Sequence, residues 1–287
     1  MNREKLVNFL TSLPVHITLI AISFLWTLPT LGLFINSLRP EDAAKTTGWW
    51  TVFQTPFDFT QLTLGNYISV LTEQGMGEAF INSLTISIPA TTIPILAAAF
   101  AAYAFSWMEF PGRQVIFVAV VGLLVVPLQM ALIPILRVYS ATGLTGTFLG
   151  IWLAHTGFGL PLAIYLLRNF IGALPKELFE SAFLDGASHL TAFFRIAMPL
   201  SVPAIASLVT FQFLWVWNDL LVALVFRGGT QDVAPVTVKV SNLVNSVGEG
   251  WHLLTAAAFV SLVLPLLVFL FLQRYFVRGL LAGSVKG

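Results

Sequence analysis

Cysteine is absent from this 287-residue chain. That excludes disulfides, thiolate nucleophiles, iron–sulfur clusters and cysteine-ligated zinc, and it leaves the redox compartment unread. Charge is almost as scarce, with 9% of residues Asp, Glu, Lys or Arg against roughly a quarter in an average soluble domain. Fourteen basic and 13 acidic residues balance to +1, so charge implies no polyanion-binding surface and nucleic acid is not an expected partner. The four histidines, His16, His155, His189 and His252, are scattered without ligand spacing, so no metal site is expected. No G-x-S-x-G, H-E-x-x-H or paired-acid arrangement occurs, and no catalytic site is assigned.

What is abundant is apolar sequence, at 57% of residues. Cutting the chain at every charged residue leaves six charge-free stretches of at least 23 residues: 6–38, 79–108, 114–136, 138–167, 196–218 and 250–273. A hydrocarbon core about 30 Å thick needs ~20 apolar residues per helix, because only a helix satisfies its own backbone where water is missing. The composition therefore predicts an all-α integral membrane protein with six transmembrane helices, at about 15–38, 82–106, 114–136, 147–167, 202–226 and 253–273. Residues 1–14 precede them, a connection at 168–201 separates the fourth from the fifth, and a tail at 274–287 follows. The run from Val15 to Leu38 is too long for a secretory signal and lacks a small-x-small cleavage site, so it reads as a retained span.

Pro29, Pro89, Pro94, Pro127, Pro134, Pro161 and Pro265 all lie inside apolar stretches. An interior proline costs a helix in water ~3 kcal/mol. In a membrane bundle, neighbouring side chains can occupy the carbonyls it frees. Alanines between Ala97 and Ala104, and the Gly146/Gly150 pair, predict close helix contacts.

With the amino terminus in the cytoplasm, nine Lys and Arg fall in inside segments and five outside. The positive-inside bias then places both termini of this multi-pass protein in the cytoplasm. Trp49, Trp50 and Trp251 sit where interfacial aromatics are expected.

The 168–201 connection is organised where the other loops are not. Pro175 opens a short helix at a position where its missing N–H is harmless, and Gly186 ends that helix in a left-handed conformation. Ser188 caps a second helix, which is expected to stop before Pro199. The pattern Glu180-Ser181-Ala182, two residues, Asp185-Gly186-Ala187, eight residues, Ile196-Ala197-Met198-Pro199 resembles the EAA signature of permease subunits of binding-protein-dependent ABC importers. Ser181 replaces the family's alanine and Met198 its leucine. The ending 278–287, the Asn82-Ser83-Leu84 turn and Trp215-Val216-Trp217-Asn218-Asp219 are similar to carbohydrate-type permeases of the maltose kind.

The resemblance implies a type I ABC importer transmembrane-domain fold and a permease subunit of an ATP-driven sugar importer, forming half of the translocation path. Glu180, Ser181, Ala182, Asp185, Gly186, Ala187 and Pro199 would form the ATPase-coupling element. Gly279, Gly283 and Lys286 of the tail would also contact an ATPase. The chain has no phosphate-cradling G-x-x-x-x-G-K-[ST], so ATP and Mg would be bound by partner subunits and this chain would carry no cofactor. Implied partners are a second permease subunit, two ATPase subunits, an extracytoplasmic sugar-binding protein and membrane lipid.

Asp219 is an ionisable residue inside an apolar run, beside Asn218, Trp215 and Trp217. These four could line a sugar path, since Asn and Asp hydrogen-bond hydroxyls and indoles offer stacking faces. Internal structural satisfaction of Asp219 is the other reading. His155 is expected to be a packed side chain without a matched acid. Permeases for amino acids, peptides or ions share the loop signature, so another ABC importer is the alternative function, followed by a secondary transporter.

Overall fold

The computed structural model describes residues 3–243 and 250–282, with side chains for 12–243 and 250–273. Among the described residues there are helices and turns and no strand. Four helices are long and apolar enough to cross a membrane, and six if each of two bent helix pairs counts as one span. Two compact units divide the chain, one formed by residues 1–77 and 240–260, the other by 78–239 and 261–287.

The first unit begins with α1 (Arg3–Ser37), so much of the 1–14 segment is helical and continuous with the first apolar run. The side chains from Val15 to Trp26 are mostly exposed hydrophobics, as suits a helix facing lipid. Buried Arg39 follows, donating to the Thr47 carbonyl at 2.9 Å and to the Thr47 hydroxyl. Helix α2 (Glu41–Thr46) holds Lys45 2.7 Å from Glu41, and that ammonium keeps the Glu41 carboxyl below the usual carboxylate range. Asn66, in α3 (Gly65–Thr72), donates to the carbonyls of Ser37 and Arg39 at 2.9 and 2.8 Å. The loop is thereby closed onto the end of α1.

The second unit is built on α4 (Met76–Trp107) and α7 (Phe148–Gly172). Ala98, Ala99 and Ala102 of α4 are buried in one cluster with Ala163, Ile164, Leu167 and Ile171 of α7, so the alanine-rich stretch serves close packing. Between these helices the stretch 114–136 departs from a single straight span. It is split into α5 (Arg113–Gly122), continued by a tight turn to Val125, and α6 (Leu128–Thr142), which meet at 103°. Pro127 causes the break: it stands at the cap of α6, and Val126 before it is extended, as a residue preceding proline prefers.

The 202–226 stretch is also interrupted. Helix α8 (Lys176–Leu184) and α9 (His189–Ala192) lead through a π turn (Phe193–Ala197) into α10 (Met198–Leu200). Pro199 does not stop this path. It sits in the first turn of α10, where no N–H is needed, and the 72° bend falls at Ser201. Helix α11 (Val202–Trp217) then ends at Asn218, and α12 (Leu221–Phe226) resumes after a short break. Helix α13 (Val236–Asn242) follows. Helix α14 (Trp251–Ala282) runs well beyond residue 273, so the tail is helical as far as Ala282.

Gly146 and Gly150 do not make the expected helix–helix contact. Gly146 lies before α7 at φ +80°, its N–H donating to the Phe226 carbonyl at 2.8 Å, and a Cβ there would come within 3.4 Å of the Arg227 carbonyl. At Gly150 a Cβ would collide with the Leu144 carbonyl of the preceding turn. The pair lets two turns approach one another.

Candidate functional site: an elbow at the end of the bundle

Helix α8 turns two aromatics inward, Phe179 and Phe183, and the first of them fixes the elbow. Phe179 is fully buried and stacks on Trp107 at the carboxyl end of α4, ring centroids 3.8 Å apart and 19° from parallel. The Trp107 indole N–H donates to the Ile171 carbonyl at 3.2 Å, tying the same corner to α7. Tyr103, one turn before Trp107, shares a 3.2 Å hydrogen bond with His189 Nδ1 and packs against Phe193. Phe193 in turn stacks on Phe100 at 4.6 Å. The elbow is therefore riveted to α4 at several points on both of its arms.

The turn has the form the sequence predicts. Gly186 adopts φ +80°, its N–H donates to the Phe183 carbonyl at 3.1 Å, and the Ala187 N–H donates to the Ala182 carbonyl at 2.9 Å. These two bonds close the end of α8 as a Schellman turn, which requires a left-handed residue at the glycine position. Ser188 then caps α9, accepting from the Thr191 N–H at 3.2 Å.

The outer face of the elbow is free among the described residues. Glu177, Glu180, Ser181, Leu184, Asp185 and Gly186 are exposed, Ala182 and Ala187 are half-buried, and Pro199 is exposed at the far end. Leu184 is 89% exposed although it is a large hydrophobe. It was not singled out from the sequence, yet the signal was there: five positions after Phe179, it faces nearly opposite to it on a helix of 3.6 residues per turn. Of the tail residues, Gly279 falls in the last turns of α14, while Gly283 and Lys286 lie outside the described residues.

The four residues read as a path separate into different roles. Trp217 is buried, stacks with Phe213 and donates its indole N–H to the Ser261 carbonyl at 2.9 Å, so it has no free face for a solute. Asn218 is exposed and its amide donates back to the Leu214 carbonyl at 2.8 Å. Asp219 Oδ2 accepts from the Ala223 N–H at 3.1 Å, closing over the free amides at the start of α12, and its carbonyl accepts from the Thr237 hydroxyl at 2.7 Å. His155 is packed as expected, fully buried, and an acid lies near it beyond hydrogen-bond reach, its Nε2 3.8 Å from Asp219 Oδ2. Sequence distance hid this pair, since His155 lies in α7 and Asp219 in the break between α11 and α12. Trp215 packs edge-on against His155 at 5.2 Å and lines an otherwise apolar cavity of about 370 Å³ at the α5/α6 bend, with Tyr139, Phe158 and Pro161.

A profile described as "Binding-protein-dependent transport system inner membrane component" matches residues 83–281, from the Ser83 hydroxyl on α4 through the whole elbow to the end of α14. The chain belongs to this family. It is an inner-membrane component of a transport system that depends on a binding protein. Over 285 residues it is 66% identical to the osmoprotective compounds uptake permease protein GgtD of Synechocystis sp., covering 99% of this chain and 96% of that one. The alpha-glucoside transport system permease protein AglG of Rhizobium meliloti is 43% identical, with 95% and 97% covered. A chain of a bacterial ABC transporter involved in import of the acidic polysaccharide alginate superposes with TM-score 0.78 over 96% of this chain and 99% of that one, at 19% identity. That likeness concerns the fold, which is the type I importer transmembrane domain with six spans. Family membership removes the secondary-transporter alternative.

Proposed function

We propose that this chain is the permease subunit of an ATP-driven importer of small polyhydroxylated solutes, α-glucosides first among them. The observation that carries the reading is full-length likeness to two permeases, one for alpha-glucosides at 43% identity and one for osmoprotective compounds at 66%. In this reading the chain pairs with a second permease subunit, forms half of the path, and receives solute from an extracytoplasmic sugar-binding protein. Two ATPase subunits hold ATP and Mg, and no cofactor resides on this chain.

The elbow is the coupling element. Glu180, Ser181, Asp185 and Leu184 present two carboxylates, a hydroxyl and an apolar knob on one exposed face, a combination suited to a cleft with an apolar floor and cationic rim. Ala182, Gly186, Ala187 and Pro199 shape the turn, and Gly279, Gly283 and Lys286 reach the ATPases from the tail. Because Phe179, Tyr103 and Phe193 join the elbow to α4, movement of the ATPases would rotate α4 and rock the bundle between outward-open and inward-open states. Both termini and the elbow then lie in the cytoplasm. Of Trp215, Trp217, Asn218 and Asp219, Trp215 borders a cavity beside the path, while Trp217 and Asp219 hold the α11/α12 junction and Asn218 is exposed there.

Reconstitution tests this reading. The permease pair, ATPases and binding protein in proteoliposomes should accumulate an α-glucoside only with ATP, and L184D with E180K should lose uptake while the permease pair stays assembled. ATP-driven uptake undiminished in that double variant would refute the coupling role of the elbow. Transport of amino acids or ions with no uptake of any sugar would refute the solute class.

A further inference from the structure

A second cavity, also about 370 Å³, differs from the one beside Trp215 in the polar residues that border it, Glu78, Asn82, Gln231, Asp232 and Lys239, together with Ile81. One wall is rigid. Asn82 Nδ2 donates to the carbonyls of Asp232 and Ala234 at 3.0 and 3.2 Å, and the buried Ser83 hydroxyl accepts from the Val236 N–H at 2.9 Å. Ala234, Val236 and Val238 are fully buried behind these bonds. The Asn82-Ser83 pair thus pins the 232–236 segment against the start of α4 as a ledge.

The charges on this ledge are not spent on one another. Two carboxylates and an ammonium line the same cleft, yet among the described residues none of the three enters an ion pair. Carboxylates accept from hydroxyls, the ammonium donates to them, the Gln231 amide offers both functions, and Asn82, with its two N–H donors spent on the ledge, keeps an accepting oxygen. Such a mixed set fits a neutral polyhydroxylated solute, whereas an anion would meet two carboxylates. The volume lies near the lower end of the roughly 300–1,000 Å³ of ligand pockets, the size of a small sugar.

Position gives the cleft its role. Glu78 and Asn82 lie in the first turns of α4, and Trp107, under the elbow, ends it. A helix of 32 residues rises about 48 Å, more than the ~30 Å of a hydrocarbon core. The cleft and the elbow therefore stand on opposite faces of the membrane. A concave polar cavity with a fixed wall suits a small solute better than the broad face of a protein.

We propose that this cleft is a receiving subsite at the outer mouth of the path, where a neutral polyhydroxylated solute leaving the binding protein is held by Glu78, Asp232 and Lys239 on the ledge fixed by Asn82. The inference rests on the sugar-import reading. The test uses the complete transporter in proteoliposomes with an α-glucoside-loaded binding protein, comparing E78Q/D232N and K239M with the unsubstituted protein. These exposed or half-buried positions tolerate such near-isosteric changes without loss of the fold. Binding-protein-stimulated ATP hydrolysis should be unchanged, while α-glucoside delivered per ATP falls on the order of tenfold, as charge-assisted hydrogen bonds become neutral ones in E78Q/D232N and the ammonium donor is lost in K239M. Unchanged delivery per ATP in both variants would overturn the proposal. A fall in stimulated hydrolysis with delivery per ATP preserved would overturn it in favour of binding-protein docking. Absence of α-glucoside uptake by the unsubstituted transporter would remove the sugar-import reading itself, and the subsite with it.

Discussion

The indole N–H of Trp217 donates to the carbonyl of Ser261 at 2.9 Å, and that carbonyl is the one Pro265 releases four residues later in α14. The same device occurs twice on α4. Trp152 Nε1 donates to Thr85 at 2.9 Å, the carbonyl freed by Pro89, and Gln212 Nε2 donates to Ala90 at 3.1 Å, the carbonyl freed by Pro94. Gly159 gives the Gln212 amide room to pass, since a Cβ there would lie 2.6 Å from it. Each interior proline of this set is thus converted into a cross-link between helices, in surroundings where water cannot occupy the acceptor.

A double-mutant cycle tests this coupling. Trp217→Phe removes the indole donor to the half-buried Ser261 carbonyl and should cost about 0.5–1.5 kcal/mol, the net worth of one hydrogen bond. With Pro265→Ala the backbone N–H returns to fill that acceptor, so the same Trp217→Phe change should cost measurably less. Equal costs in both backgrounds, by denaturant or thermal unfolding in detergent, would show that the bond and the proline are independent.

Phe179→Ala removes a fully buried ring from the Trp107 stack and should destabilise the elbow by about 3–5 kcal/mol, the range for emptied aromatic sites. Protease cleavage between 176 and 190 is expected to accelerate while the rest of the bundle resists. Unaltered cleavage would place the anchoring of α8 elsewhere.

Gly186→Val forces a β-branched residue to φ +80°, although a Cβ would touch nothing within 4 Å. The cost is therefore conformational rather than steric, about 1–2 kcal/mol. Gly186→Asn, which tolerates the left-handed region, should retain more coupled uptake than Gly186→Val. Equal loss in both would argue for a direct contact at the glycine.

Asp219→Ala should destabilise the α11/α12 junction by about 0.5–2 kcal/mol, the usual cost of removing a side chain that caps a helix start. Asp219→Asn keeps an acceptor for the Ala223 N–H and should leave uptake kinetics near normal. A large change in solute selectivity in Asp219→Asn, with stability intact, would return Asp219 to the path as a solute ligand.

Much of the elbow was legible in the sequence because its determinants are local. A proline at a helix start, a glycine at its end and a serine cap act within four residues, so Pro175, Gly186 and Ser188 announce their own geometry. Family likeness added which face matters, while the exposure of Leu184 followed from helical phase. The partners of His155 and Trp217 were not legible, because each is met across helices far apart in sequence.

The sequence by itself determined that the chain is helical and membrane-embedded, since the length of an uncharged run against bilayer thickness is a one-dimensional quantity. It also determined where the chain turns between α8 and α9. Only the tertiary structure decided which prolines bend a span and which are bridged, that Asp219 closes over α12 beside His155, and that Asn82 holds a polar ledge at one end of α4. Those outcomes depend on which donor lies near which freed acceptor, and burial makes every such match costly to miss.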